Sequence, residues 1–257
     1  MQKTAIIIPC YNEAKRLDTE GILQFCNNTN NIDFFLVNDG STDNTLEIIT
    51  NFSLKNEDRI KVMNLDKNVG KSEAIRQGMM HVSSFKEYDF IGFWDADFST
   101  PLYEIKNMLD VLEKNKEINL IMGCRLKRLG ADIKRSNLRH FVGRVFITFA
   151  NLILETHVYD SQCGAKIFRS KIVPILFEKN FFTKWIFDIE ILIRIEKYFG
   201  KNITTKSVYE YPLTKWEDVA GSKLKFFDFM RAPFELIKIH FYYNIKKVEI
   251  KNKINLL

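Results

Sequence analysis

Two aspartates one residue apart end an apolar run, Phe93-Trp94-Asp95-Ala96-Asp97. A buried strand that delivers two carboxylates at its end suits a hard divalent cation, which takes oxygen ligands. Such an ion bridges the phosphate oxygens of a nucleotide diphosphate and neutralises charge on a departing group. Two acids this close also suit a plain solvated turn, and the spacing alone does not choose between the readings. Ser99-Thr100-Pro101 follows with a helix-starting pattern, so the pair falls between a strand and a helix.

Three more polar segments end apolar runs in the same way. Pro9-Cys10-Tyr11-Asn12-Glu13 follows the first and Asn38-Asp39-Gly40-Ser41-Thr42-Asp43 the second. Asp39 can accept hydrogen bonds from a base or ribose, and Gly40 permits a tight turn; Asp43 alone reads as a helix N-cap. Asn68-Val69-Gly70-Lys71 opens a helix, where backbone N–H groups, Gly70 and Lys71 can face phosphate. The plainer reading of that segment is a glycine turn beside a solvated lysine. Taken together, the four strand ends make one coherent nucleotide site.

The elements that must position them follow from the apolar runs. Strands are expected at Thr4–Pro9, Ile32–Asn38, Ile60–Leu65, Phe90–Trp94 and Leu120–Cys124, continuous enough to be buried on both faces. Helical patterns fall at Ala14–Asn27, Thr42–Leu54, Lys71–Val82 and Leu102–Asn115. This alternation predicts an α/β fold with a mostly parallel, Rossmann-like sheet flanked by helices, with ligands outside the carboxyl ends of its strands. After Arg125 come an amphipathic segment at Asn137–Leu154, a short motif at Asp160–Phe168, a helix near Asp188–Tyr198 and a strand near Ile203–Tyr211. A single domain over 1–222 is expected, with a nucleotide-binding half to about 124, an acceptor half from about 125, and a basic aromatic helical tail over 223–257.

The net charge of +6 is unevenly spread: Arg125–Arg144 carries +6, Lys223 to the end +5, and the remainder about −5. Two basic segments on an otherwise acidic chain point to an anionic ligand or surface, or to solvated helix faces. No nucleic-acid-binding module is present. Cys10, Cys26, Cys124 and Cys163 show no metal-ligand spacing and read as reduced thiols. The N-terminus runs straight into a strand pattern with no signal peptide. Val145–Leu154, the longest clean apolar stretch in the middle, falls short of the ~20 residues that span a bilayer. A cytoplasmic protein is expected, peripheral at the inner face of the membrane.

The four strand-end motifs, in this order, resemble those of the family 2 glycosyltransferases with the GT-A fold. The resemblance implies that Pro9, Tyr11, Glu13 and Asp39 surround the nucleoside, and that Asp97, assisted by Asp95, positions Mg²⁺ or Mn²⁺. Three later segments, Asp160-Ser161-Gln162-Cys163-Gly164-Ala165-Lys166, Trp185-Ile186-Phe187-Asp188-Ile189-Glu190 and Trp216-Glu217-Asp218-Val219-Ala220-Gly221-Ser222-Lys223, resemble the dolichyl-phosphate β-glucosyltransferase subgroup. That resemblance implies transfer of glucose from UDP-glucose to a polyprenyl phosphate, with inversion. Two departures stand out: Ala165 replaces an expected bulkier aromatic residue, and the N-terminal membrane anchor of the eukaryotic enzymes is not seen.

A phosphate acceptor is already anionic and needs positioning more than a base. Arg125, Arg135 and Arg139 can fork onto phosphate, and Lys223 can face either phosphate. A sugar hydroxyl in a surface polysaccharide or glycolipid would instead need a base, for which Asp188 and Asp160 are the candidates; Asp188 also suits a helix cap. In the tail, Phe226, Phe227, Phe229, Met230, Phe234, Ile237, Phe241, Tyr242 and Tyr243 interleave with Lys225, Arg231, Lys238, Lys246 and Lys247. That pattern suits a helix lying in an anionic membrane interface, one packed on the domain, or self-association through the aromatics.

Overall fold

The structure, a computed structural model, describes residues 2–154, 157–219 and 226–245, without the side chains of 137–140, 142, 226–232 and 244–245. The first half alternates as β1 (Thr4–Cys10), α1 (Thr19–Asn27), β2 (Ile32–Asp39), α2 (Thr45–Ser53), β3 (Ile60–Leu65), α3 (Lys71–Ser84), β4 (Phe90–Trp94), α4 (Tyr103–Lys114) and β5 (Leu120–Cys124). There follow β6 (Asp132–Lys134), α5 (Asn137–Asn151), β7 (Ala165–Arg169), α6 (Val173–Phe177), α7 (Phe187–Phe199), α8 (Lys201–Ser207), β8 (Val208–Pro212), β9 (Lys215–Glu217) and α9 (Phe226–His240). A wider helical turn over Phe241–Ile245 follows α9.

Seven strands form one sheet in the order β3-β2-β1-β4-β7-β5-β8, and β6 pairs with β9 in a small second sheet. All pairings of the large sheet are parallel except those of β7, which runs antiparallel between β4 and β5. Side chains of alternate residues enter opposite faces, so Ile7, Phe35 and Val37 join one core while Ile6, Ile8 and Leu36 join the other. Helices α3, α6, α7 and α9 contribute to the first core and α1, α2 and α4 to the second, which explains why β1 and β2 read as unbroken apolar runs. The chain leaves β1 for β2 and β3 on one side and then for β4 on the other, the switch point beside which α/β sheets bind ligands.

Three expectations are corrected. Helix α1 begins at Thr19 rather than Ala14, because residues 14–17 turn on the Glu13 carbonyl (Arg16 N–H 2.9 Å, Leu17 N–H 3.0 Å) and Asp18 caps the Gly21 N–H at 2.8 Å. The strand expected near Ile203 is helix α8 up to Ser207, since Thr204 and Ser207 point inward with a helical three-residue spacing; only Val208–Pro212 joins the sheet. The motif at Asp160–Phe168 supplies a strand, β7, which the alternating pattern did not suggest. In β7, Ala165 is paired with the buried Trp94, so a small residue faces a large one across the strands.

Candidate active site

The loops after β1, β2 and β3 hold one another. Asn12, at φ 51°, donates its backbone N–H to Ser41 Oγ at 3.0 Å and accepts the Thr42 N–H at 2.8 Å. The Glu13 N–H reaches Thr45 Oγ1 at 2.8 Å, while its carboxylate takes Arg16 at 2.7 Å. The buried Asp39 accepts the N–H groups of Val69 (2.7 Å) and Gly70 (3.0 Å), clamping the turn before α3. Burial pushes the Asp39 carboxyl up, and those two bonds only partly offset it. Gly40 adopts φ 57°, and a Cβ there would overlap the Lys67–Asn68 backbone, so glycine is required where these loops meet.

Lys71 is the first residue of α3, and its Nζ lies 2.5 Å from Asp95 Oδ1. Burial pushes the Asp95 carboxyl up, but Lys71, with Lys166 and Arg125 behind it, outweighs burial and holds the group below its ordinary range. Asp97 accepts the Ser99 N–H at 3.0 Å, and burial followed by the Asp95 charge pushes it up. A Cβ on Gly164 would overlap the Asp95 carboxylate, so the loop before β7 fits against this aspartate only as glycine.

The opposite wall is built from ion pairs. Arg125 follows β5 and meets Asp160 through Nε at 2.6 Å and Nη2 at 2.7 Å, with its guanidinium 5.3 Å from the Trp216 ring centre. Burial pushes the Asp160 carboxyl up, yet Arg125 overrides it and holds the group far below the usual carboxylate range. Lys166, fully buried in β7, donates to Asp188 at 2.6 Å and to the carbonyls of Ser161 and Cys163 at 2.9 and 2.7 Å. Burial pushes Asp188 up and the Lys166 ammonium opposes that shift without cancelling it. Asp188 is the second residue of α7.

Arg135 lies on the loop that β6 and β9 hold beside Trp216, and Gly143 of α5 leaves room for its guanidinium, which a Cβ would approach to 2.7 Å. Burial, then the Arg125 charge, lowers the affinity of Arg135 for its proton.

These walls enclose a cleft of about 630 Å³. It brings together Pro9, Tyr11, Glu13, Asp39, Gly70 and Lys71 from the first three loops with Asp95 and Asp97 from the fourth. Arg125, Arg135, Asp160 and Asp188 line it from the other side. Arg139 falls within α5 with its side chain among those not described, and Lys223 lies outside the described residues.

Sequence reasoning missed Arg144, which lines the cleft, donates to the Tyr159 carbonyl at 3.0 Å and stacks 4.0 Å from that ring's centre. Its only signal was membership of the basic segment. Lys166 was missed as well, although a lone lysine within Ala165-Lys166-Ile167-Phe168 is itself the mark of a buried charge that needs a partner. Trp185 and Trp216, quoted only as parts of motifs, also line the cleft.

Asp95 and Asp97 present hard oxygen ligands, and Asp95 already holds a cation, the Lys71 ammonium. Among the described residues no group of three or more His, Cys, Asp or Glu converges. A divalent ion held by one or two carboxylates and completed by diphosphate and water fits that donor set.

Comparison with known proteins identifies the family of the chain. The glycosyl transferase family 2 profile matches residues 5–176. A dolichyl-phosphate beta-glucosyltransferase of Trichomonas vaginalis is 29% identical, over 97% of this chain and 74% of that protein. The Dictyostelium discoideum protein of the same name is 27% identical, over 96% of this chain and 77% of its own length. Among solved structures, glucosyl-3-phosphoglycerate synthase from Mycobacterium tuberculosis, in complex with Mn²⁺, UDP-glucose and phosphoglyceric acid, superposes with a TM-score of 0.64. That match has 15% identity and covers 94% of this chain and 79% of the other. The chain therefore belongs to glycosyl transferase family 2: it is a glycosyltransferase with the GT-A fold.

Proposed function

We propose that the protein transfers glucose from UDP-glucose to a polyprenyl phosphate with inversion, using Mg²⁺ or Mn²⁺. The observation that carries this reading is the charge layout of the cleft. Asp95 and Asp97, carboxylates suited to a metal, follow β4, while Arg125, Arg135 and Arg144 come from later elements, after β5, after β6 and on α5, and all line one cleft. The names of the relatives support both the glucosyl donor and the lipid-phosphate acceptor.

On this reading the cleft divides between a nucleotide-binding half, up to about residue 124, and an acceptor half over 125–222. The nucleoside lies against Pro9, Tyr11, Glu13 and the loop clamped by Asp39. Asp97 and Asp95 would hold the ion, which would supply positive charge to the departing diphosphate. Lys71 and the backbone N–H groups at the start of α3 add to that charge.

On the far side, Arg135 and Arg144 hold the acceptor phosphate, while Arg125, already paired with Asp160, braces the wall. An anionic phosphate oxygen displaces UDP at the anomeric carbon without losing a proton, so this route needs no general base. Asp160 then serves as a positioning group, and Lys223 remains a candidate phosphate ligand. A second reading, transfer to a sugar hydroxyl, is favoured by one observation: Asp188, a carboxylate that can accept a proton, faces the cleft with its carboxyl pushed up by burial.

A lipid acceptor requires a surface that meets the bilayer. Phe141, Val145, Phe149 and Leu152 stand exposed at three- and four-residue spacing along α5 and just beyond it, and Phe234, Ile237 and Phe241 do the same along α9 and the turn after it. Two such stripes suit shallow burial at the level of the lipid headgroups. Gly143, Phe146 and Ile147 of the same α5 line the cleft, which puts its mouth beside that surface. Among the described residues no helix is long and apolar enough to cross a membrane; we place the contact of these two stripes at the inner face of the membrane. A screen of UDP- and GDP-sugars, scored by hydrolysis and by transfer to lipid phosphate, tests the donor. UDP-glucose should lead, and preference for a GDP-sugar would overturn this assignment.

A further inference from the structure

Glu190 closes the Trp185–Glu190 motif but does not line the cleft. It is fully buried, and its carboxylate accepts the N–H groups of Phe182 (2.8 Å) and Thr183 (3.4 Å), the Arg194 guanidinium (2.8 Å) and the Tyr243 hydroxyl (2.6 Å). Arg194, on the same face of α7, donates to the carbonyls of Leu176, Lys179 and Asn180, and through Nε to Tyr243 Oη at 3.0 Å. One ion pair thus takes up four backbone groups of the loop over 178–183, the N–H groups of Phe182 and Thr183 and the carbonyls of Lys179 and Asn180, in a stretch with no helix or strand of its own.

The two residues that follow this loop, Lys184 and Trp185, line the cleft, as do Phe187 and Asp188 just beyond them. The third member of the network, Tyr243, arrives from the turn after α9, where its neighbour Tyr242 stacks on Phe182 with ring centres 4.9 Å apart and planes at 19°. A phenylalanine would fill the same space as Tyr243, but would leave Arg194 Nε and one Glu190 oxygen short of a partner.

We infer that Tyr243 and Glu190 are positioning residues through which the C-terminal helix fixes the Lys184–Trp185 wall of the cleft and so sets the site's hold on the acceptor. This rests on the acceptor reading given above. The turn that carries the exposed Phe241 also carries Tyr242 and Tyr243, so seating that helix on a surface and setting the wall are one mechanical event. Donor contacts, on loops across the sheet, stand outside the network.

Tyr243→Phe, with Phe182→Ala as a milder surface change, tests this by hydrogen–deuterium exchange on the full chain and by kinetics with UDP-glucose and a short polyprenyl phosphate in detergent. Amide exchange at Phe182 and Thr183 should rise about tenfold in Tyr243→Phe, and less in Phe182→Ala, with the sheet amides unchanged. Acceptor KM should rise about three- to tenfold while donor KM stays within about twofold. Unchanged exchange at 178–186, a uniform rise across the sheet, or donor and acceptor constants moving together would overturn the inference. Should the wild type not use polyprenyl phosphate, the acceptor reading fails, while the exchange pattern still decides whether the network holds the loop.

Discussion

The two sides of the cleft are built by different means. Where the nucleotide is proposed to sit, neighbouring loops hold one another through bonds aimed at backbone N–H groups: Asp39 to Val69 and Gly70, Asn12 to Thr42, Thr45 to Glu13. Where the acceptor is proposed to sit, three largely buried ion pairs do this work: Arg125–Asp160, Lys166–Asp188 and Arg194–Glu190. Loss of one backbone-directed bond is graded, because the other group keeps alternatives. Loss of one partner from a buried pair is abrupt, because the remaining charge has nowhere to go. The donor side is therefore expected to yield to mutation in small steps and the acceptor side in large ones.

The largest effect expected is the exception to that rule, at the charged point of the donor side. Asp97→Ala should lower turnover about 100- to 1,000-fold with an unchanged melting temperature, read by steady-state kinetics and thermal unfolding. Unchanged activity would remove the metal assignment.

The contrast itself is tested by Lys166→Met against Asp39→Asn in urea unfolding. The first strands the buried Asp188 charge and should cost about 3–5 kcal/mol; the second weakens one clamp and should cost about 1 kcal/mol. Equal costs would erase the distinction.

Acid sharpens the comparison. The folded-state pKa of Asp160 lies below its unfolded value of about 3.9, so the stability it contributes is full above that pH and disappears as pH falls towards the folded value. The melting-temperature gap between wild type and Asp160→Asn should be constant from about pH 7 to 5 and close below about pH 4. The smallest effect on stability is expected of Lys71→Met. Donor KM should rise about tenfold with little change in melting temperature, since this pair is half-exposed.

The same contrast explains what the sequence revealed. Donor-side loops follow their strands directly, so each motif, such as Asn38-Asp39-Gly40, announces its place in the fold. All five strands expected before residue 125 are present, three of them (β3, β4 and β5) with the expected ends. On the acceptor side the motifs do not say which charges pair: Arg125 meets Asp160 35 residues on, Lys166 meets Asp188 22 residues on, and Glu190 meets Tyr243 53 residues on. No local pattern reports such pairs. The antiparallel strand β7 was hidden for the same reason, because its neighbours β4 and β5 both precede it by many residues. Asp160 and Asp188 looked alike as free carboxylates. Only their partners, Arg125 and Lys166, separate them, and burial wins over the partner in Asp188 alone.

The measurement that bears most directly on the whole account is an acceptor competition. The full-length chain is incubated with UDP-glucose and Mg²⁺, with a polyprenyl phosphate in one arm and a panel of saccharides in the other, and the product is read by mass spectrometry. The expected product is β-linked glucosyl phosphate on the lipid, formed without saccharide. Transfer to saccharides alone would contradict it and give Asp188 the part of general base.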